Sequence, residues 1–67
     1  RQLPPRMTGA ELEALRLVRD GFLAKEIAGR LGVTEGAVKQ RLRNARSKLG
    51  AKTGSQAVSK AIGFGLI

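Results

Sequence analysis

Apolar residues recur at intervals of three and four positions over most of this chain, which is the spacing of helices with one buried face. In the first repeat, the apolar residues Ala14, Leu15 and Val18 share this spacing with the acidic residue Glu11. Thr8 stands three residues before Glu11, the spacing of a capping box that begins a helix. The pattern predicts a first helix over about 9–20, closed by Gly21.

Two further repeats are separated by a short turn. The first predicts a helix over about 24–31, followed by Gly32, which accepts the left-handed backbone of a helix end. The second predicts a helix over about 35–49, with Thr34 as its N-cap and Gly50 at its end. The predicted buried positions are Ala24, Ile27, Ala28, Leu31, Val38, Leu42, Ala45 and Leu49. A helix, a glycine turn and a second helix form a helix-turn-helix unit, although the turn alone also fits an ordinary pair of antiparallel helices.

The remaining sequence predicts a fourth helix over about 56–63, with Ser55 as its N-cap. Its apolar positions are Ala57, Val58, Ala61 and Ile62. No segment shows the alternation of a strand, so the predicted fold is an all-α, compact four-helix domain over 7–67. Residues 1–6, with two prolines, are interpreted as a linker stub. Because the chain begins with Arg1 rather than Met, we expect it to be part of a longer protein.

Charge is divided unevenly along the chain. Residues 1–35 carry six Lys/Arg and five Asp/Glu, whereas residues 36–67 carry seven Lys/Arg and no Asp/Glu. The two parts therefore have net charges of +1 and +7. A surface of this kind favours a polyanionic partner, and nucleic acid is the commonest one.

Composition excludes several other functions. The 67 residues contain no Cys and no His, which excludes a zinc finger, thiol catalysis and His-based acid–base chemistry. The carboxylates are scattered over the first three helices, so we expect neither enzymatic activity nor a bound metal or cofactor. Two aromatic residues are too few for the stacking surfaces that bind single strands. No apolar run is long enough to cross a membrane, so a membrane is not an expected partner.

The third helix is predicted to present a polar surface opposite its buried residues. At about 100° per residue, this surface consists of Gly36, Gln40, Arg43, Asn44 and Ser47. Lys39 and Arg46 flank it on one side, and Arg41 and Lys48 on the other. Hydrogen-bonding groups between two rows of cations suit a helix in the major groove of DNA. A basic face that only contacts water is the competing interpretation.

The sequence resembles the LuxR/GerE-type DNA-binding domain of bacterial transcription regulators. The resemblance rests on these segments: Met7-Thr8, 24–28, 33–39, 48–50, 56–61 and Gly65-Leu66-Ile67. It implies that the third helix reads DNA and that the fourth contributes to pairing of protomers. The sequence departs from the family pattern at Ala10, Ala37, Arg41 and Thr53-Gly54, which puts individual contacts there in question.

The resemblance also implies roles for individual residues. Base-reading residues of the family correspond here to Lys39, Gln40 and Arg43. Phosphate contacts correspond to Lys25, Thr34 and Lys48, and helix geometry adds Arg41. Ala57, Val58 and Ala61 are predicted as a dimer interface, with burial in the protomer's own core as the alternative. Thr8 and Glu11 are interpreted as a capping pair, with an ion pair between Glu11 and a cation of the third helix as the alternative.

Partners follow from the same resemblance. It implies double-stranded DNA, a homodimer of the full-length protein, RNA polymerase as a further partner, and a location in the bacterial cytoplasm at the nucleoid. A small-molecule signal or phosphorylation would act on a region outside this sequence. Segments 44–45, 48–51 and 56–61 look more like the quorum-sensing, acyl-homoserine-lactone-responsive branch than like phosphorylated response regulators.

Two other functions remain open from the sequence. Glu35 to Leu49 is also similar to region 4 of extracytoplasmic-function sigma factors, which contact a promoter element together with polymerase. That family normally ends soon after the recognition helix, whereas this chain has a fourth helix. The other alternative is a protein-interaction domain that binds an acidic partner through its basic face.

Overall fold

The computed structural model describes residues 3–67, and within this range it contains four α-helices. They are α1 (Gly9–Arg19), α2 (Ala24–Leu31), α3 (Glu35–Leu49) and α4 (Gly54–Gly63). The predicted bounds of the second and third helices are confirmed. Arg1 and Gln2, which belong to the predicted linker stub, lie outside the described residues. None of these helices is both long and apolar enough to cross a membrane.

Two interactions of Glu11 fix the start of α1. The Thr8 hydroxyl accepts a hydrogen bond from the Glu11 backbone N–H at 3.1 Å, and the Glu11 carboxylate accepts one from the Thr8 N–H at 2.8 Å. The same carboxylate oxygen also accepts from Lys48 Nζ at 2.8 Å. The predicted capping box and its alternative, an ion pair to the third helix, are therefore both present. At its other end α1 finishes one residue earlier than predicted, because Asp20 is its C-cap.

A three-residue turn connects α2 to α3. Gly32 has a φ of 67°, and its N–H donates to the carbonyl of Ala28. The Thr34 hydroxyl accepts from the Ala37 N–H at 3.1 Å and so caps α3. This geometry confirms the predicted helix-turn-helix unit, in which glycine permits the left-handed backbone that ends α2.

The predicted start of α4 is wrong. Its N-cap is Thr53 rather than Ser55, and the helix begins at Gly54. The Thr53 hydroxyl accepts from the Gln56 N–H at 3.1 Å, while the Gln56 side chain accepts from the Lys52 N–H at 2.6 Å. These two bonds hold the connecting loop against the first turn, which places Ser55 inside the helix.

Most of the buried apolar residues form two clusters that meet at the half-buried Leu42 of α3. One cluster joins α1, α3 and α4, and the other lies between α2 and α3. Phe64, Leu66 and Ile67, which follow α4, pack against the first cluster. The buried residues of the two clusters are Leu15, Ala45, Leu49, Ala57 and Ala61, and Ile27, Ala28 and Val38.

The core changes the interpretation of α4. Ala57 and Ala61 are both 0% exposed, because they pack against residues of α1 and α3. The prediction that these two residues form a dimer interface is therefore wrong, since a second protomer cannot reach them. Val58 is half-buried, and Ile62, the last apolar position of the predicted fourth helix, is 50% exposed. Only the outer part of α4 is available to a partner.

Candidate nucleic-acid interface

The polar surface predicted for α3 is exposed in the structure. All five of its members are exposed to solvent, whereas Val38 and Ala45 on the opposite side are 0% exposed. The members are Gly36, Gln40, Arg43, Asn44 and Ser47. The helix therefore presents hydrogen-bonding groups outward on a buried apolar support.

Three side chains on this surface form a continuous hydrogen-bonded chain. Arg43 Nη2 donates to Oε1 of Gln40 at 2.7 Å, and Gln40 Nε2 donates to Oδ1 of Asn44 at 2.9 Å. The residues are separated by three and four positions, so their side chains lie on one face of the helix. The chain holds the Arg43 guanidinium at a defined place on the exposed surface.

Lys39, the third predicted base reader, lies beside this chain. Its ammonium forms an exposed ion pair with the carboxylate of Glu35 at 3.2 Å, one helical turn earlier. Lys39, Leu42, Arg43 and Arg46 line one shallow depression along α3. Three cations therefore border a concave strip next to the hydrogen-bonded chain.

The predicted phosphate contacts at the helix starts are accessible. Lys25 lies in the first turn of α2 and is exposed. Thr34 is exposed as well, and although its oxygen accepts from the Ala37 N–H, its hydroxyl hydrogen is still able to donate to a phosphate. Anions are favoured near such helix N-termini because of the backbone N–H groups and the helix dipole.

The other two residues predicted to contact phosphate are either less exposed or already paired with a carboxylate. Arg41 is half-buried. Lys48 forms the ion pair with Glu11, whose side chain is 5% exposed while that of Lys48 is 36% exposed. The Lys48 ammonium has three donors, so a phosphate contact is compatible with this ion pair. The structure nevertheless gives Lys48 a second role, which is to join the end of α3 to the start of α1.

Burial acts on Glu11 in the opposite direction to its hydrogen bonds. Desolvation raises the pKa of the Glu11 carboxyl, but the hydrogen bonds from Lys48 and Thr8 and the charge of Lys48 outweigh it. The pKa therefore lies below its ordinary value of 4.5, and Glu11 is ionised at neutral pH. A charged Glu11 therefore keeps its ion pair with Lys48 at neutral pH.

Sequence reasoning placed Asn44 on the exposed surface but assigned it no function. Glu35, which pairs with Lys39, was not considered as part of the site either. Both pairs have the four-residue spacing at which Gln–Asn and Glu–Lys side chains interact on a helix. That spacing was the available indication of both interactions.

Comparisons with known proteins show which families share this sequence and fold. Residues 1–49 match the model of the family described as Sigma-70, region 4. That match covers α1 to α3 and ends before α4 begins. The matched family therefore shares the helix-turn-helix part of this chain.

Two curated relatives are also similar to the chain. The spore germination protein GerE of Bacillus subtilis is 38% identical over 64 residues, which are 96% of this chain and 86% of GerE. The transcriptional activator protein RaiR of Rhizobium etli is 40% identical over 52 residues. These cover 78% of this chain but only 22% of RaiR.

A solved structure has the same fold. The structure of the transcription factor GerE superposes with a TM-score of 0.86 at 30% sequence identity and covers 90% of each chain. The fold and its exposed helix define a helix-turn-helix domain of a transcription regulator. The chain belongs to the GerE/LuxR-type family of helix-turn-helix DNA-binding domains.

Proposed function

We propose that this chain is a sequence-specific, double-stranded DNA-binding output domain of a bacterial transcription regulator, with α3 in the major groove. The observation that carries the proposal is the exposed chain of Gln40, Arg43 and Asn44 on a helix whose other side is buried. Arg and Lys recognise guanine O6 and N7, and Gln and Asn recognise adenine. Lys39, Gln40 and Arg43 thus offer chemistry suited to base edges.

Cations around this surface would hold the domain on the duplex. Lys25 and Thr34 stand at the starts of α2 and α3, and we assign both to phosphate contacts together with Arg41 and Lys48. The net charge of +7 over residues 36–67 supports such contacts, because each neutralised phosphate releases counterions. Binding should therefore weaken steeply as salt is raised.

A dimer on inverted half-sites would place two copies of α3 in consecutive major grooves, about 34 Å apart. One helix covers few base pairs, so a single domain is expected to bind weakly. Because Ala57 and Ala61 are buried, pairing through α4 would have to use its outer side, where Ile62 is 50% exposed. We expect the 67 residues alone to be mostly monomeric and a region outside them to supply dimer affinity.

We propose that a small-molecule signal or phosphorylation acts on a region outside these residues, and that RNA polymerase is a further partner. The quorum-sensing branch and the nucleoid location remain predictions from the sequence resemblance. Both would be tested on the full-length protein rather than on this domain.

The match to Sigma-70, region 4 favours a second candidate, a promoter-recognition module that acts together with polymerase. The presence of α4, which lies beyond that match and within the GerE match, favours the first candidate. The two candidates differ in one property. The first predicts that the isolated chain selects a DNA sequence, and the second predicts that it does so only together with polymerase.

Selection from a pool of random duplexes tests the proposal. The 67-residue chain is expected to enrich one short sequence without any other protein. Enrichment only when core polymerase is added would support the sigma-factor alternative. Binding without any sequence preference at physiological salt would contradict both and favour a basic surface for an acidic protein partner.

A further inference from the structure

We propose that Asn44 and Gln40 are positioning residues that hold Arg43 for a guanine, so that Gln40 acts through Arg43 rather than as an adenine reader. The inference rests on the proposed function, since it concerns how α3 selects a base. It differs from the sequence prediction, in which Gln40 contacts a base itself and Asn44 has no role.

The geometry begins at Asn44, which is exposed and lies one turn after Gln40. Its Oδ1 accepts from Gln40 Nε2 at 2.9 Å. This bond engages the Gln40 nitrogen, which is the only part of that amide that is able to donate. The Gln40 oxygen then faces the Arg43 guanidinium and accepts from Nη2 at 2.7 Å.

Both polar ends of the Gln40 amide are thus engaged within the helix. A bidentate contact to adenine needs the amide oxygen and nitrogen of one side chain together. The amide oxygen keeps one lone pair and the nitrogen keeps one N–H, so Gln40 could contact adenine only from the orientation that Arg43 and Asn44 impose on it. The two hydrogen bonds of Gln40 therefore favour a role in positioning Arg43 over direct contact with a base.

Arg43 keeps most of its capacity for recognition. A guanidinium has five N–H donors, and the bond to Gln40 uses one of them. The remaining donors suffice for a bidentate contact to guanine O6 and N7. Ordering a long side chain before binding reduces the entropy lost in the complex, which strengthens the contact that is made.

The test uses the duplex that the 67-residue chain enriches from a random pool, and variants of it in which single guanines are replaced by 7-deazaguanine. The replacement removes only the N7 acceptor. The guanine read by Arg43 is the one at which the replacement weakens the parent chain but not the Arg43→Ala variant. We expect the parent to discriminate about tenfold there.

Asn44→Ala is expected to lower this discrimination by about two- to tenfold, the effect of releasing one long side chain. Gln40→Met, which keeps the length of the side chain but breaks both bonds, should lower it similarly. Ser59→Ala, an exposed position on α4 that does not belong to the polar surface of α3, is the control and should leave it unchanged. Thermal unfolding checks that each variant is folded. In the Arg43→Ala background, Asn44→Ala should have no further effect on affinity.

Several results would overturn the inference. If Asn44→Ala keeps the full discrimination, Asn44 does not position Arg43. If Asn44→Ala or Gln40→Met instead relaxes the preference at a different base pair, that residue reads a base itself. If the effects of Asn44→Ala and Arg43→Ala simply add, the two residues act independently. If the parent enriches no sequence at all, the proposed function fails and the inference fails with it.

Discussion

The two faces of α3 differ in their chemistry and in the function proposed for each. Val38, Ala45 and Leu49 on the inner face are buried in the two clusters that unite the four helices. Gln40 and Arg43 on the outer face are exposed and contact side chains of their own helix. Substitutions on the inner face should therefore change stability, and those on the outer face should change DNA binding.

The largest effect is expected on the inner face. Leu49→Ala removes a side chain that is 6% exposed and leaves a cavity between α1, α3 and α4. We expect it to lower the free energy of unfolding by about 2–5 kcal/mol, measured by urea denaturation. A loss below about 1 kcal/mol would show that the cluster collapses around the cavity or contributes little. Ser47→Ala, two residues earlier and exposed, is the control and should change stability by less than about 0.5 kcal/mol.

The next effect concerns the link between α1 and α3. Glu11→Gln removes the charge that pairs with Lys48, and we expect a loss of about 1–3 kcal/mol at neutral pH. Because the pKa of Glu11 is lowered in the folded state, its contribution is complete above the unfolded value of 4.5. It is lost as the pH falls through the lower folded pKa.

Unfolding measured between neutral and acidic pH checks this second prediction. The stability difference between the parent and Glu11→Gln should shrink below about pH 4.5. Glu13→Gln, on the same helix but exposed, is the matched control and should show almost no difference at any pH. An unchanged gap at low pH would mean that the ion pair is not the source of the stability.

A smaller effect is expected from the cations around the outer face. Lys25→Ala should weaken binding to every sequence and reduce the slope of log affinity against log salt by about 1. Arg19→Ala removes the same charge from the C-terminal turn of α1, where it pairs with Asp20, and should leave the slope unchanged. Titrations at several salt concentrations distinguish these outcomes. An equal change in both variants would mean that total charge, rather than a contact at Lys25, sets the affinity.

The smallest effect is expected at the exposed pair of Glu35 and Lys39. Glu35→Gln removes a carboxylate from the start of α3 and releases Lys39. We expect a gain in affinity of up to about 1 kcal/mol for all sequences, since an exposed ion pair is weak and the carboxylate repels phosphate. Glu13→Gln again serves as the control in the same binding titration. A loss of affinity in Glu35→Gln would indicate that Glu35 orients Lys39 productively.

Both faces of α3 could be predicted from the sequence. Thr34 and Gly50 mark the ends of the helix, Gly32 marks the turn before it, and the apolar repeat determines which side of the helix is buried. The start of α4 was not predicted correctly, since both Thr53 and Ser55 offer a capping hydroxyl. Thr53 and Gln56 have the spacing of a capping box, and this indication favours the observed start.

The spacing of the small residues on α4 does not determine which element they pack against. Ala57 and Ala61 suit close approach of either a neighbouring helix of the same chain or a second protomer. Only the packing of α1 and α3 against α4 decides between these, and it buries both residues. Contacts between exposed side chains, such as Gln40 with Asn44, depend on rotamers that the residue pattern does not determine.

Base reading by α3 is tested by comparing the parent chain with Arg43→Ala on the duplex enriched from a random pool and on single-base-pair variants of that duplex. We expect Arg43→Ala to fold normally, to lose about 1–3 kcal/mol of binding free energy on the enriched duplex, and to lose its discrimination at one base pair. If Arg43→Ala ranks all of these duplexes as the parent does, the outer face of α3 does not read DNA through Arg43.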